Sequence, residues 1–215
     1  CRAVVLAAQG SAFCAGANFG DGSTLDKDGQ RVDRDIAVKH LYLEGIRLFK
    51  TKKSIIAAVH GAAVGGGLGL AMVADFRVAC PETRFCANFT RLGFHPGFGL
   101  TVTLPRVVGP TKAALMFSTS RRVPGEKAFA MGLADILVPQ AEVRAAALKL
   151  AGEIAENSPL GLIATRATLR GDLAEQVRHA TEHELKQQTW LRKTDDFKEG
   201  VRATAERRLP KFSGG

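Results

Sequence analysis

The chain has 215 residues, 46% of them apolar and 24% charged, with a formal net charge of +9. That length supports one sizeable core, or a core with a small appendage, and that composition excludes a disordered chain. The positive balance is either a solvated surface or a match for phosphate-bearing ligands, and the single Trp and single Tyr argue against a nucleic-acid stacking platform.

RAVVLAA (2–8) reads as a buried strand. It opens so abruptly that a preceding segment is expected. QGSAFCAGANFGDG (9–22) is a loop of small residues, and STLDKDGQRVDRD (23–35) a polar surface loop. In 36–50, Ile36, Leu41, Leu43, Ile46 and Leu48 recur at helical spacing. SIIAAV (54–59) is a β-branched run of strand length. From Ser54 to Ala74 there is no Asp, Glu, Lys or Arg, which is long enough to cross a membrane. His60 and five glycines within it favour a buried strand followed by a buried helix instead.

DFRVA (75–79) and RFCAN (84–88) read as further strands, and GFHPGFGL (93–100) as a loop whose glycines imply unusual backbone. Helices are expected at 109–118 and 125–132, and a strand in ADILVP (134–139). From 140 to the end only helices are expected. The pattern predicts an α/β core over 1–139 and a helical region over 140–215. Cys1, Cys14, Cys80 and Cys86 form no C-x-x-C pair or zinc spacing, so they read as reduced thiols of a cytoplasmic protein, and no metal site is expected.

AAVGGGLGLAMVADFRVA (62–79) poses the central question, because each glycine inside an element costs roughly 0.5–1 kcal/mol. A glycine-rich turn entering a helix gathers backbone N–H groups at the positive end of the helix dipole, where a phosphate or a carbonyl oxyanion is stabilised. The dinucleotide fingerprint fails: Gly65 and Gly67 are followed by Gly69, and Leu70 stands at the third required position. The Walker pattern is absent. An oxyanion reading gains from SAFCAGANF (11–19), a second small-residue loop leaving a strand.

AFCAGAN and IIAAVHGAAVGGGLGLAMVADFRVA resemble the crotonase superfamily, the enoyl-CoA hydratase/isomerase family. LGFHPGFGLTVTLPRVVG, SRRVPGEKAFAMGLADILVP and DFKEGVRATAERRLPKF carry the resemblance along nearly the whole chain. It implies a spiral of ββα units and a helical C-terminal region that joins a homotrimer or a dimer of trimers. It implies an acyl-CoA substrate, with coenzyme A entering as part of that substrate and no tightly bound cofactor. The thioester oxygen would lie between the backbone N–H groups of Ala17 and Gly66, with Ala15, Gly65, Gly67, Phe89 and Gly97 around the substrate.

The chain departs from the family where proton transfer is done. The resemblance places the two hydratase glutamates at Gly69 and Phe89, and an aspartate used by some relatives at Gly97. None of the three ionises. An oxyanion hole without these groups still suits an enolate formed by loss of carbon dioxide, with Phe89 as an apolar wall. ANF…GFxPGxG is similar to decarboxylating crotonases of polyketide assembly. Two alternatives stay open: a CoA-binding pseudoenzyme or scaffold, and a hydratase/isomerase with relocated acid and base. His95 is a candidate proton donor or a hydrogen-bonded structural histidine. His60, Cys14 and Asp75 read as structural, and Asp21, Asp26, Asp28, Asp33 and Asp35 as solvated loop charges. The chain is therefore expected to be a poor crotonyl-CoA hydratase, with Phe89→Glu and Gly69→Glu/Phe89→Glu as the variants that test whether the missing carboxylates are the reason.

Overall fold

The computed structural model describes residues 1–17 and 41–215. The loop aspartates and residues 36–40 of the expected helix lie outside the described residues. From β1 to β6 consecutive strands alternate between two sheets. β1 (Ala3–Ala7), β3 (Ser54–Val59), β5 (Phe76–Ala79) and β8 (Ile136–Leu137) make one four-stranded sheet in that order, with every pairing parallel. β2 (Ala12–Cys14), β4 (Ala62–Val64), β6 (Arg84–Cys86) and β7 (Val123–Pro124) make the other, and only its β6–β7 pair is antiparallel. The expected α/β class is therefore correct. The sequence pattern missed β2, β4 and β7, which are two or three residues long and too short for a period to declare itself.

The step from one sheet to the next is tight. Between β3 and β4 a Cβ on Gly61 would lie 2.3 Å from the Ser11 carbonyl oxygen, so only glycine lets the chain turn there against its neighbour. After β4 comes α2 (Gly66–Val73), in which Gly67, Leu68, Gly69, Ala71, Met72 and Val73 are all buried. A helix with no polar face belongs inside, and the uncharged stretch from Ser54 is accordingly strand, short strand and buried helix. Among the described residues no helix is long and apolar enough to cross a membrane.

Three polar clamps fasten the helices to this core. Asp75 closes α2, and its carboxylate accepts from the Ile55 amide and from the Nε groups of Arg166 and Arg170 on α7 (Pro159–Arg170), each within 2.9 Å. Its role thus extends beyond the helix end to a long-range tie. The fully buried Glu184 on α8 (Leu173–Leu191) accepts from the Gly99 and Thr101 amides and the Thr101 hydroxyl. It thereby satisfies the first turn of α3 (Leu100–Val108) from across the molecule. Arg77, 3% exposed, is held by Asp135 and by the carbonyls of Leu133 and Ala74. Around these pack α1 (Leu41–Phe49), α4 (Pro110–Thr119), α5 (Gly125–Ala130) and α6 (Val143–Ala155). Residues after 140 are helical as expected, yet Leu173, Val177 and Phe197 belong to the same hydrophobic cluster as the sheets.

The last helix, α9 (Asp195–Ala205), is anchored through Glu199. Its carboxylate accepts from Arg208, from the Lys211 amide and from Arg202, and these bonds hold its pKa far below the usual carboxylate value, Arg208 contributing most. A carboxyl depressed in the folded state stabilises above its unfolded pKa, about 4.3, and that contribution is lost as pH falls below it. Residues beyond α9 should therefore become progressively more protease-sensitive as pH falls from about 4 towards the depressed folded value, and be so already at neutral pH in Glu199→Gln. Limited proteolysis read by mass spectrometry checks both; identical cleavage in variant and wild type would sink the anchor.

Candidate functional site

The loop after β2 and the turn into α2 meet because glycines remove the side chains between them. A Cβ on Gly67 would lie 1.9 Å from the Cys14 carbonyl oxygen, and one on Gly16 would lie 2.7 Å from the Val64 oxygen and 3.9 Å from the Gly66 nitrogen. Gly16 has φ +84° and Gly65 φ +56°, a region that disfavours side chains. Gly66 is the first residue of α2, so its N–H has no partner within the helix. The result is one cleft of about 510 Å³ with Ala15, Gly16 and Ala17 on one wall and Gly65 and Gly66 on another.

The remaining walls come from far along the chain. Asn88, Phe89, Leu92 and Phe94 follow β6, and Val201, Thr204 and Ala205 come from α9. Phe89, 2% exposed, meets Phe94 edge to face at 5.5 Å, and Phe94 meets Phe197 likewise at 5.3 Å. Arg84 and Arg122 add positive charge to the lining. Of the residues assigned from the sequence, Ala15, Ala17, Gly65, Gly66 and Phe89 share this cleft. Gly67 is turned against Cys14, where it permits helix and strand to touch.

His95 is placed elsewhere. Its Nδ1 donates to the Pro96 carbonyl, its own carbonyl accepts from Gln188 of α8, and its ring stands 6.0 Å from that of His183. His60 is likewise bonded to the Gly10 carbonyl. Both buried thiols are satisfied, Cys80 on the His60 carbonyl and Cys86 on the Ser120 carbonyl. Burial pushes the Cys86 thiol up.

The space beside Gly69 and Gly97 is filled by aromatic rings. A Cβ on Gly69 would lie 2.7–2.9 Å from Cβ, Cγ and Cδ1 of Phe98, and one on Gly97 would lie 2.5 Å from Cε2 of Tyr42. Phe98 itself has φ +64°, strained for a bulky residue, and its ring tip lies 2.7 Å from where a Cβ on Gly45 would stand. Its ring and that of Tyr42 meet edge to face at 5.2 Å. Residue 69 consequently has no room for a glutamate while Phe98 keeps its ring. A glutamate at 69 would also displace Phe98, so Gly69→Glu/Phe89→Glu tests more than the missing carboxylates.

Tyr42, the single tyrosine of the chain, escaped the sequence reading. It lies on α1, lines the cleft, and its phenol oxygen stands 3.1 Å from the position of a Cβ on Gly66. Burial, partly offset by Arg192, pushes its pKa up to about 12. The helical spacing of α1 marked Leu41 and Leu43 as the apolar face and passed over the residue between them. A lone tyrosine in an amphipathic helix carries no sequence signal for a site.

The whole chain, residues 1–215, matches the family described as enoyl-CoA hydratase/isomerase. A Bacillus subtilis (strain 168) protein named a probable enoyl-CoA hydratase is 33% identical over 99% of this chain and 82% of its own length. Among solved structures, an enoyl-CoA hydratase/isomerase from Pseudoalteromonas atlantica T6c superposes with a TM-score of 0.80 at 27% identity, over 99% of this chain and 82% of that one. A carnitinyl-CoA hydratase from Mycobacterium avium does so with a TM-score of 0.80 at 27% identity, over 100% and 82%.

The packing of Phe98 on Gly69 sets a measurable coupling. Gly69→Ala should cost about 1–3 kcal/mol by overpacking, and Phe98→Ala about 3–5 kcal/mol by truncation of a buried ring. The double variant should cost clearly less than the sum, because the alanine methyl then has space. Urea unfolding of the four proteins measures the cycle; additive costs would show that the two residues do not compete for one volume.

Proposed function

The chain belongs to the enoyl-CoA hydratase/isomerase family, and from that premise we propose that it forms a thioester enolate by decarboxylating a malonyl-type acyl-CoA. The N–H groups of Ala17 and Gly66 hold the thioester oxygen as charge develops on it. The bond between the α-carbon and the carboxylate breaks, its electron pair passes into the thioester carbonyl, and carbon dioxide leaves. A proton then returns to the α-carbon. Losing one oxyanion donor typically costs about 2.7–4 kcal/mol of transition-state stabilisation.

The observation that carries this reading is the pairing of a glycine-built cleft with aromatic rings beside it. The family resemblance assigns acid and base groups to positions 69, 89 and 97. Here those positions are Gly69, Phe89 and Gly97, with Phe98 packed on the first and Tyr42 on the third. Water addition needs a group to orient and deprotonate water, whereas decarboxylation needs carbonyl polarisation and an apolar wall disfavouring the carboxylate. Phe89 is such a wall. Arg84 and Arg122 suit the phosphates of coenzyme A.

Assembly into a homotrimer or a dimer of trimers is part of the proposal. Leu160 and Leu169, near the two ends of α7 and on opposite sides of it, are 79% and 70% exposed, two separate apolar positions this chain leaves in water. Light scattering should return a mass of three or six chains, and a stable monomer would refute the assembly.

The activity is tested with a panel of malonyl-, methylmalonyl-, crotonyl- and 3-hydroxybutyryl-CoA followed by mass spectrometry. Carbon dioxide release from a malonyl-type thioester is expected, with crotonyl-CoA hydration near background, since acid–base groups contribute about 10²–10⁴-fold each. Gly66→Pro, which removes one donor, should abolish turnover and largely spare CoA binding. Robust hydration by the wild type would favour a hydratase with relocated groups, and binding without any turnover a pseudoenzyme.

A further inference from the structure

A decarboxylase that releases its enolate to solvent yields a product protonated on either face. One that carries its own acid controls the face. Resting on the enolate reading above, we propose that the Tyr42 phenol is the acid that protonates the α-carbon of the thioester enolate, and that Phe98 is the positioning residue that aims it.

Two observations place the phenol. Tyr42 lines the same cleft as Ala17 and Gly66. Its oxygen lies 3.1 Å from the Cβ position of Gly66, the residue whose N–H is proposed to hold the thioester oxygen. The α-carbon is only two bonds from that oxygen. His95, the donor expected from the sequence, bonds the Pro96 carbonyl, stands with His183 and does not line this cleft.

The ring is held on two sides. Phe98 meets it edge to face at 5.2 Å, and Gly97 lies so close that a Cβ there would come within 2.5 Å of Tyr42 Cε2. Phe98 adopts its strained φ of +64° with its ring between Gly45 and Gly69. Strain of this kind persists where the surroundings over-determine the conformation, and it clusters at working sites. Gly69 and Gly97 thereby acquire a purpose: they are the clearances that admit Phe98 and Tyr42.

The chemistry balances. The enolate takes the phenolic proton at its α-carbon, the carbonyl re-forms, and the phenolate is reprotonated from water. Overall a carboxylated thioester and one proton become the shortened thioester and carbon dioxide. The carbon of a thioester enolate is a far stronger base than a phenolate, so a phenol whose pKa is raised to about 12 still transfers its proton downhill. The same raised value keeps it protonated across neutral pH.

The test uses methylmalonyl-CoA in deuterium oxide, with the configuration of the α-deuterium in the propionyl-CoA product read after hydrolysis. The wild type should give one configuration. Tyr42→Phe keeps the ring that packs against Phe98 and Gly97, so it should fold and bind CoA normally yet give a racemic product, with carbon dioxide release slowed or unchanged according to which step limits. Phe98→Leu, which leaves the phenol but loosens its support, should give intermediate stereochemical purity. Tyr42→Phe with the wild-type configuration retained overturns the role of Tyr42. A folded, CoA-binding wild type that releases no carbon dioxide overturns the enolate reading, and this role with it.

Discussion

Backbone-to-backbone contact between α2 and the loop after β2 is the constraint on which the rest of the structure depends. Gly67 lies so close to the Cys14 carbonyl that any side chain there would overlap it, and Gly16 lies almost as close to Val64. Cys14 of β2 and Val64 of β4 are neighbours in one sheet, so this contact seats the start of α2 directly on that sheet. The cost of placing glycine inside a helix is offset by apolar burial, since most of α2 is inaccessible to water. The cleft is what remains open beside that contact.

Polar clamps then decide where the helices lie. Asp75 ties α7 to the start of β3, and Glu184 ties α8 to the start of α3. Each carboxylate accepts several hydrogen bonds from groups distant in sequence, so removal of either would leave buried donors unsatisfied. These ties matter to the site as well as to the fold. Glu184 holds the Gly99 amide beside Phe98, and Gln188, one turn further along α8, bonds the His95 carbonyl. The loop that carries Phe98 is thus fixed from α8, and α9, anchored by Glu199, supplies another wall of the cleft.

Aromatic packing accounts for the identities of residues that looked anomalous. The space beside Gly69 and Gly97 is occupied. It is filled from outside by Phe98 and Tyr42, each too close for a Cβ. Volume at this site is shared among non-adjacent residues, so its chemistry cannot be altered one position at a time.

The sequence alone determined the α/β class, the strands read at 54–59 and 75–79, the helices beyond 140, and the two glycine-rich loops that meet at the cleft. These follow from local signals: β-branched runs, helical spacing and glycine density. Only the tertiary structure decided that Tyr42 faces Gly66, that Phe98 occupies the volume beside Gly69, and that His95 turns towards α8. The short strands β2, β4 and β7 also depended on it, because a strand of two or three residues exists only through its partner. The reason is common to all of these: a one-dimensional pattern reports which residues prefer burial, whereas the direction of a ring and the occupant of a void are set by elements dozens of residues away.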